Sequence, residues 1–172
     1  MTEQELILLG LLHESPKHGY EIKKKIREIL FLFAGVDLKS IYYPLGILEK
    51  KGYVHKRTGR QGKRPERYVY ALTPLGETRF NELLSKSFLD FKRPQFSLDL
   101  SLYFLQYIPA HVSRRRLRAR LQLLSGLCRS MRQMITAARK KGPRQLTYIL
   151  EHNLSMVEAE ATFLRGLINT LE

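Results

Sequence analysis

The chain has 172 residues, which is enough for one domain of ordinary size or for two small ones. Hydrophobic residues make up 44% of the sequence, which allows a packed core and excludes wholesale disorder. The 30 lysines and arginines against 16 aspartates and glutamates give a formal net charge of +14, which indicates a polyanionic partner, either nucleic acid or an anionic membrane surface.

Catalytic and metal-binding patterns are missing from the sequence. The single cysteine, Cys128, excludes an intrachain disulfide and falls in an apolar repeat, which favours a core residue over a redox sensor. The five histidines show no metal-ligand spacing. Acidic residues precede the first apolar run, and no apolar stretch approaches the ~18 residues of a membrane span. We therefore expect a cytoplasmic protein that is not an enzyme and uses no cofactor or metal.

Two helices are predicted first. The segment ELILLGLLHE is apolar on nearly all sides, as in a short buried helix, and ESPKHG then breaks the pattern. From Tyr20 onward apolar residues spaced by four, three and four predict an amphipathic helix that stops near Gly35. These apolar residues are Ile22, Ile26, Ile29 and Phe33.

A third helix is predicted from Ser40 to Lys51, stopped by Gly52. Pro44 lies inside it, and its cost depends on where the helix begins. With Ser40 as the N-cap, Pro44 takes the fourth helical position and forfeits about one hydrogen bond. With a start at Asp37, the proline lies deeper and should kink the helix.

Two strands and a fourth helix follow. YVHKRT and ERYVYALT are rich in strand-forming residues, and the GRQGKRP loop between them carries three cations and no acid. Thr73 as N-cap and Pro74 at the first position predict a helix through about Phe88. Three helices before a basic hairpin indicate a winged helix-turn-helix domain, so the fold class is mainly α with a small β-hairpin. In such a domain the third helix enters the DNA major groove and the hairpin wing contacts phosphates.

Several segments resemble the PadR family of transcriptional regulators. They are LILLGLLHESPKHGYEI, SIYYPLGILEKKGYV, GRQGKRPERYVYALT and TPLGE, with His18–Glu21 and Ser40–Tyr43 the most telling. Many members have a proline directly after a single tyrosine, whereas here Tyr42 and Tyr43 both precede Pro44. The resemblance implies a dimer held by C-terminal helices and repression of transcription. It also implies, for some members, release by a small aromatic or hydrophobic effector.

The second half predicts a helical dimerisation domain, residues 91–172, after a winged-helix domain, residues 1–90. Heptad seams begin at Leu117 and Leu150, and RKKGPRQ separates them, so two long helices should form an antiparallel hairpin. A further apolar stripe favours a second copy of the chain over an intrachain bundle in a monomer. The candidate dimerisation residues are Leu121, Leu124, Met131, Leu150, Leu154, Val157, Phe163, Leu164 and Ile168.

The predicted DNA contacts lie at the start of the second helix, on the third helix and on the wing. They are His18, Tyr20, Lys39, Ser40, Tyr42, Tyr43, Gly46, Arg57, Arg60, Lys63, Arg64 and Arg67. Gly46 would let the duplex approach without a clashing side chain. Two structural alternatives stay open at this point. Tyr42 can pack its ring against the second helix, and His18 can cap that helix.

Aromatic residues concentrate near the junction of the two halves. Phe88, Phe91, Phe96, Tyr103, Phe104 and Tyr107 are candidates for an effector pocket, with ordinary core packing as the favoured alternative.

The densest cationic cluster, RRRLRAR at Arg114–Arg120, could contact DNA phosphates or an anionic ligand. A solvated helix face that pairs with Glu158 or Glu160 is favoured. The predicted function is a homodimeric, sequence-specific repressor acting on a pseudo-palindromic operator. The alternatives are a winged-helix adaptor for proteins and a peripheral protein that binds anionic membranes through Arg114–Arg132.

Overall fold

The computed structural model describes residues 2–29, 40–59, 67–90 and 98–171. The chain divides into two compact units, Met1–Arg93 and Pro94–Glu172. The N-terminal unit contains α1 (Thr2–Glu14), β1 (Lys17–His18), α2 (Gly19–Ile29), α3 (Tyr42–Lys50), β2 (Val54–Gly59), β3 (Arg67–Leu72) and α4 (Pro74–Ser87). The C-terminal unit contains α5 (Asp99–Tyr103), a 3₁₀ turn (Leu105–Tyr107), α6 (Ala110–Lys141) and α7 (Arg144–Thr170).

The core of the N-terminal unit surrounds α1. Leu8 and Leu9 are fully buried, together with Ile22 of α2 and Leu45 of α3. Because α3, α4 and β3 all pack on α1, this helix is apolar on several sides rather than along one stripe. The prediction of a short buried first helix is confirmed.

The sheet has three antiparallel strands in the order β1-β3-β2. β2 and β3 form the predicted hairpin, with Val54 opposite Leu72 and Gly59 opposite Arg67. β1 was not predicted, because a strand of two residues is too short to show an alternating pattern. It places Lys17 opposite Tyr70 on the other edge of β3.

Lys17 closes the C-terminal end of α1. Its Nζ donates to the carbonyl oxygen of Leu11 at 2.7 Å and to Ser15 Oγ at 2.9 Å, and it pairs with Glu14 at 3.3 Å. A lysine ammonium satisfies the last carbonyl groups of a helix and interacts favourably with its dipole. This buried cation therefore has a structural role in the described part of the unit.

The start of α3 corrects the sequence interpretation. The helix begins at Tyr42 with Ile41 as its N-cap residue, so neither Ser40 nor Asp37 opens it. The first helical hydrogen bond runs from the Leu45 amide to the Ile41 carbonyl, 3.0 Å. Pro44 is therefore the third helical residue, where no amide has an intrahelical partner, so it loses no hydrogen bond.

Both predicted terminal signals around α3 and α4 are confirmed. Gly52 has a φ of +72°, and the Tyr53 amide donates to the Leu48 carbonyl at 3.0 Å, which together end α3 in a Schellman motif. Thr73 Oγ1 accepts from the Gly76 amide at 3.0 Å and donates to the Gly52 carbonyl at 2.7 Å. The side chain that begins α4 therefore also holds the turn that ends α3.

The C-terminal unit is dominated by the α6–α7 hairpin. Arg120 pairs with Glu160 at 2.6 Å and Arg132 with Glu158 at 2.5 Å, while Arg139 pairs with Glu151. Partner numbers fall along α7 as they rise along α6, so the helices are antiparallel, as predicted. The buried seam consists of Leu117, Cys128, Met131, Ile135 and Ala138 from α6 and Leu150, Ala161, Leu164 and Ile168 from α7.

The segment before α6 is mostly exposed. α5 has five residues and is followed by a 3₁₀ turn, and Leu100, Phe104 and Tyr107 are exposed. Leu98 is buried against the α6–α7 core instead, with Leu102 partly buried beside it. Phe96 lies outside the described residues. Among the helices that the structure describes, none is long and apolar enough to cross a membrane.

Candidate nucleic-acid interface

An open groove of about 520 Å³ lies where α2, α3 and β3 meet. Its lining is His18, Gly19, Tyr20, Tyr42, Tyr68 and Tyr70. Three of the predicted DNA contacts, His18, Tyr20 and Tyr42, are therefore brought together. Four phenolic hydroxyls and one imidazole give the groove hydrogen-bonding groups of the kind that contact phosphates and base edges.

His18 links the start of α2 to the wing. Its backbone amide donates to Glu21 Oε2 at 2.7 Å, which is half of a capping box. Its Nδ1 lies 3.3 Å from the Tyr68 carbonyl oxygen, and its ring stacks on that of Tyr20 with centroids 5.6 Å apart. The backbone of His18 thus takes part in capping, while the imidazole joins two walls of the groove.

Tyr42 and Gly19 hold α2 and α3 together. A Cβ atom on Gly19 would lie 3.1 Å from Tyr42 Cε1, which is tighter than ordinary contact. Tyr42 nevertheless remains 58% exposed. One edge of its ring packs on α2, as the structural alternative held, and the rest of the side chain faces solvent.

The outer face of α3 is open to solvent. Tyr43 is 77% exposed, and a Cβ atom on Gly46 would meet nothing within 4 Å. Leu45 and Leu48 are buried on the opposite face. Packing among the described residues therefore gives no reason for glycine at position 46. Ser40 is exposed, and Lys39 lies outside the described residues.

The wing adds Lys56 to the side of this groove, because Lys56 pairs with Tyr70, whereas Arg57 pairs with Val69 and lies on the other face. Arg57 is exposed on β2, and Lys56 Nζ lies 4.3 Å from the centroid of the Tyr68 ring. Sequence reasoning missed Lys56; the signal was the alternation along the strand, which puts neighbouring cations on opposite faces. Arg60, Lys63 and Arg64 lie outside the described residues, and of Arg67 only the backbone pairing with Gly59 is described.

Tyr70 forms the buried floor of the groove. Burial raises the pKa of its hydroxyl above the ordinary value of 10.0, and the nearby charges of Glu49, Tyr42 and Tyr68 raise it further. Tyr70 is therefore a neutral phenol at physiological pH. Within the described ranges no cluster of three or more histidine, cysteine, aspartate or glutamate side chains could hold a metal ion.

The predicted aromatic effector cluster is not assembled within either unit as described. Phe88 is exposed on the N-terminal unit. In the C-terminal unit Tyr103, Phe104 and Tyr107 are exposed, with the first two rings edge to face at 4.9 Å. These four side chains are therefore not ordinary core either. Phe91 and Phe96 lie outside the described residues.

A different groove is present in the C-terminal unit. It has a volume of about 300 Å³ and lies between α5 and α7. Its lining is mostly apolar, with two carboxylates. The lining residues are Leu98, Asp99, Leu102, Met156, Ala159, Glu160 and Phe163.

Several candidate dimerisation residues are buried within one chain. Leu164 has no exposed surface, and Met131, Leu150 and Ile168 are also buried in the α6–α7 seam. Leu121, Leu124, Leu154 and Val157 are partly buried. The four buried side chains stabilise the hairpin, so a partner surface needs other residues. Phe163 is the exposed member of the predicted set.

The helices α1 to α3 followed by a hairpin wing, with the tyrosine-lined groove at their junction, define the class: a winged helix-turn-helix protein with a helical C-terminal unit. Residues 8–82 match the family model of the transcriptional regulator PadR-like family. The N-terminal unit of the chain is thus similar to a family of transcriptional regulators.

Known proteins are similar to this chain as well. The negative transcriptional regulator PadR of Bacillus subtilis strain 168 is 32% identical over 77 residues, which span 45% of this chain and 42% of that protein. The chain thus matches less than half the length of this curated relative. The crystal structure of Bacillus subtilis PadR in complex with operator DNA is similar over 100% of this chain and 99% of that one, with a TM-score of 0.79 and 19% identity. The same protein in complex with p-coumaric acid gives a TM-score of 0.76 at 17% identity, over 97% of each chain.

Proposed function

We propose that the protein is a cytoplasmic, sequence-specific DNA-binding regulator that represses transcription by occupying a pseudo-palindromic operator as a homodimer. The observation that carries this proposal is the groove at the α2–α3–β3 junction. It combines exposed phenolic hydroxyls with the imidazole of His18 and is flanked by Lys56, while Arg57 adds an exposed cation on the other face of the wing. The structure of Bacillus subtilis PadR in complex with operator DNA has the same fold, which supports this use of the surface.

Two parts of the N-terminal unit have distinct tasks in this proposal. α3 presents Tyr42, Tyr43 and the open position at Gly46 to the major groove, where hydroxyls reach base edges and phosphates. The wing cations contact phosphates and supply affinity that depends on salt rather than sequence. Lys39, Ser40, Arg60, Lys63, Arg64 and Arg67 are proposed to add to these two surfaces.

The homodimer is proposed to form through exposed apolar side chains of the C-terminal hairpin. Leu123, Leu127 and Met134 recur on one side of α6, and Met156 and Phe163 are exposed on α7. An exposed apolar surface of this extent is expected to be buried in an interface, and an isologous contact with a second copy of the chain would bury it. Such a dimer would place two α3 helices on half-sites about one DNA turn apart.

Release by a small aromatic or hydrophobic effector is the last element of the proposal. The groove between α5 and α7 offers Leu102, Met156 and Phe163 to such a molecule. The exposed Tyr103, Phe104 and Tyr107 of the same unit are proposed to contribute as well. The complex of Bacillus subtilis PadR with p-coumaric acid supports an effector of this kind. The name of the curated relative, a negative regulator, supports repression.

Selection of bound fragments from a random DNA pool tests the proposal. We expect a recovered motif with two-fold symmetry and half-sites about one turn apart. A Tyr43→Ala variant should lose the motif, whereas Tyr148→Ala, an exposed tyrosine of the C-terminal unit, should keep it. Recovery of no motif, or binding to anionic vesicles and not to duplexes, would contradict the proposal and favour an adaptor or a membrane-surface protein.

A further inference from the structure

A second cationic surface lies on α6, away from the groove of the winged helix. Five side chains with donor groups or cations border one shallow depression of about 510 Å³ there. They are His111, Arg114, Arg115, Arg118 and Gln122. At 100° per residue these positions fall within about 100° of one another around the helix, so they form a single face. Leu117, which lies in the buried seam, points away from it.

Arg114 and Arg115 of that face have no acidic partner among the side chains that the structure describes. Of the carboxylates described in the C-terminal unit, Glu160, Glu158 and Glu151 are already paired with Arg120, Arg132 and Arg139. Asp99 lines the groove between α5 and α7. The RRRLRAR cluster is therefore split: Arg120 holds the hairpin together, and Arg114 and Arg115 keep their charge directed outward.

The chemistry of this face fits a phosphodiester backbone. Guanidinium groups present planar, paired donors that match phosphate oxygens. Phosphates follow one another every 3.4 Å along the axis of a DNA strand, so the neighbouring side chains of Arg114 and Arg115 can each contact one phosphate. A helix that enters a membrane surface needs apolar side chains beside its cations, and this depression is lined by none larger than Ala119.

We propose that the α6 face around Arg114 and Arg115 is a second, sequence-independent binding surface for the phosphate backbone of duplex DNA. This inference rests on the proposed function, because it adds phosphate contacts to a DNA-binding protein. Its role would be to raise affinity for any duplex and to increase the salt dependence of binding, without changing the preferred operator sequence.

The test measures binding of the full-length protein to a fluorescent random-sequence duplex of about 40 base pairs across a salt series. The double variant Arg114→Gln/Arg115→Gln removes two phosphate contacts. The slope of log affinity against log salt should therefore become less steep by about 1.8, since each contact contributes about 0.9. Between about 50 and 200 mM salt, this corresponds to a roughly twelvefold smaller loss of affinity. Circular dichroism melts would establish that the variant is folded.

A matched control removes the same charge elsewhere in this unit. Arg144→Gln/Arg165→Gln changes two exposed arginines of α7 and should leave the slope unchanged. An unchanged slope in the α6 variant overturns the inference, and so does an equal change in both double variants. Loss of binding to phosphatidylserine vesicles with duplex binding intact would also overturn it, in favour of a membrane surface.

A variant of the wing distinguishes failure of this inference from failure of the proposed function. Arg57→Gln should lower the slope by about 0.9 if the winged helix binds DNA. If Arg57→Gln lowers the slope and the α6 double variant does not, only the proposal of a second surface is wrong. If the unmodified protein binds no duplex at all, the proposed function fails together with it.

Discussion

The carbonyl oxygen of Tyr53 lies only 2.0 Å from the point where a Cβ atom on Gly76 would stand. Gly76 is on the first turn of α4 and Tyr53 precedes β2, so the helix backbone rests directly on the chain that enters the wing. The neighbouring atom belongs to backbone that hydrogen-bonds to the Thr73 amide at 3.0 Å, so it cannot move aside independently. Glycine at this position is a steric requirement of the fold.

Gly76→Ala should therefore destabilise the N-terminal unit by about 3 kcal/mol or more, as overpacking at an immobile contact does. Urea denaturation followed by circular dichroism measures the change in the free energy of unfolding. Gly166→Ala is the matched control, because a Cβ atom there meets nothing within 4 Å, and it should be neutral or stabilising. Equal stability of Gly76→Ala and the unmodified protein would contradict the close contact.

Gly46→Ala should separate stability from DNA binding. The added methyl group has open space in the described structure, so α3 should gain up to about 1 kcal/mol from the better helix propensity of alanine. If this face approaches the duplex, affinity for the selected operator should fall at least about tenfold, which is ~1.4 kcal/mol. Fluorescence anisotropy and urea denaturation give the two values. Unchanged affinity would place the duplex away from Gly46.

Alkaline pH should destabilise the N-terminal unit through Tyr70. The pKa of this phenol is raised in the folded state, so its contribution to stability is fully present below the ordinary value of 10.0 and is lost as the pH rises through the folded-state pKa. Tyr70→Phe cannot ionise and should lose less stability between about pH 9 and 12 than the unmodified protein. Tyr103→Phe, at a side chain 78% exposed, should behave like the unmodified protein.

Leu123→Lys should convert the proposed dimer to a monomer. Leu123 is 76% exposed in the single chain, so lysine costs the hairpin little, but it would place a charge in a dry interface. Sedimentation equilibrium measures the association. Gln122→Lys adds the same charge at the adjacent exposed position and should remain dimeric. If both variants form dimers of unchanged stability, the interface lies on another surface.

Residue patterns predicted the fold where local chemistry and tertiary packing agree. Gly52 and Thr73 are signals of this kind, since a positive φ and a side-chain cap are properties of a few neighbouring residues. β1 escaped prediction because it pairs with β3, a segment that it meets only in the folded unit. Ser40 was a reasonable N-cap by residue type, yet the first helical bond is accepted by Ile41.

The candidate site stays a prediction, although the fold brings some of its residues together. His18, Tyr20 and Tyr42 were identified and do converge on one groove. Tyr68 and Tyr70 were assigned only to a strand, because their position in the groove depends on the pairing of β3 with both neighbours. Heptad spacing identified the seam of α6 and α7 but could not separate contacts within a chain from contacts between copies, since both have the same period.

The position of β3 between β1 and β2 has a consequence for engineering. Hydrogen bonds hold this strand on both edges near Tyr70, and Gly59 and Arg67 are still in register where the hairpin leaves the sheet. The seven residues between them can therefore be exchanged as a cassette without altering the frame that supports them. A library confined to positions 60–66 would vary the basic loop while α3 stays constant, which makes the two contributions to DNA recognition separately adjustable.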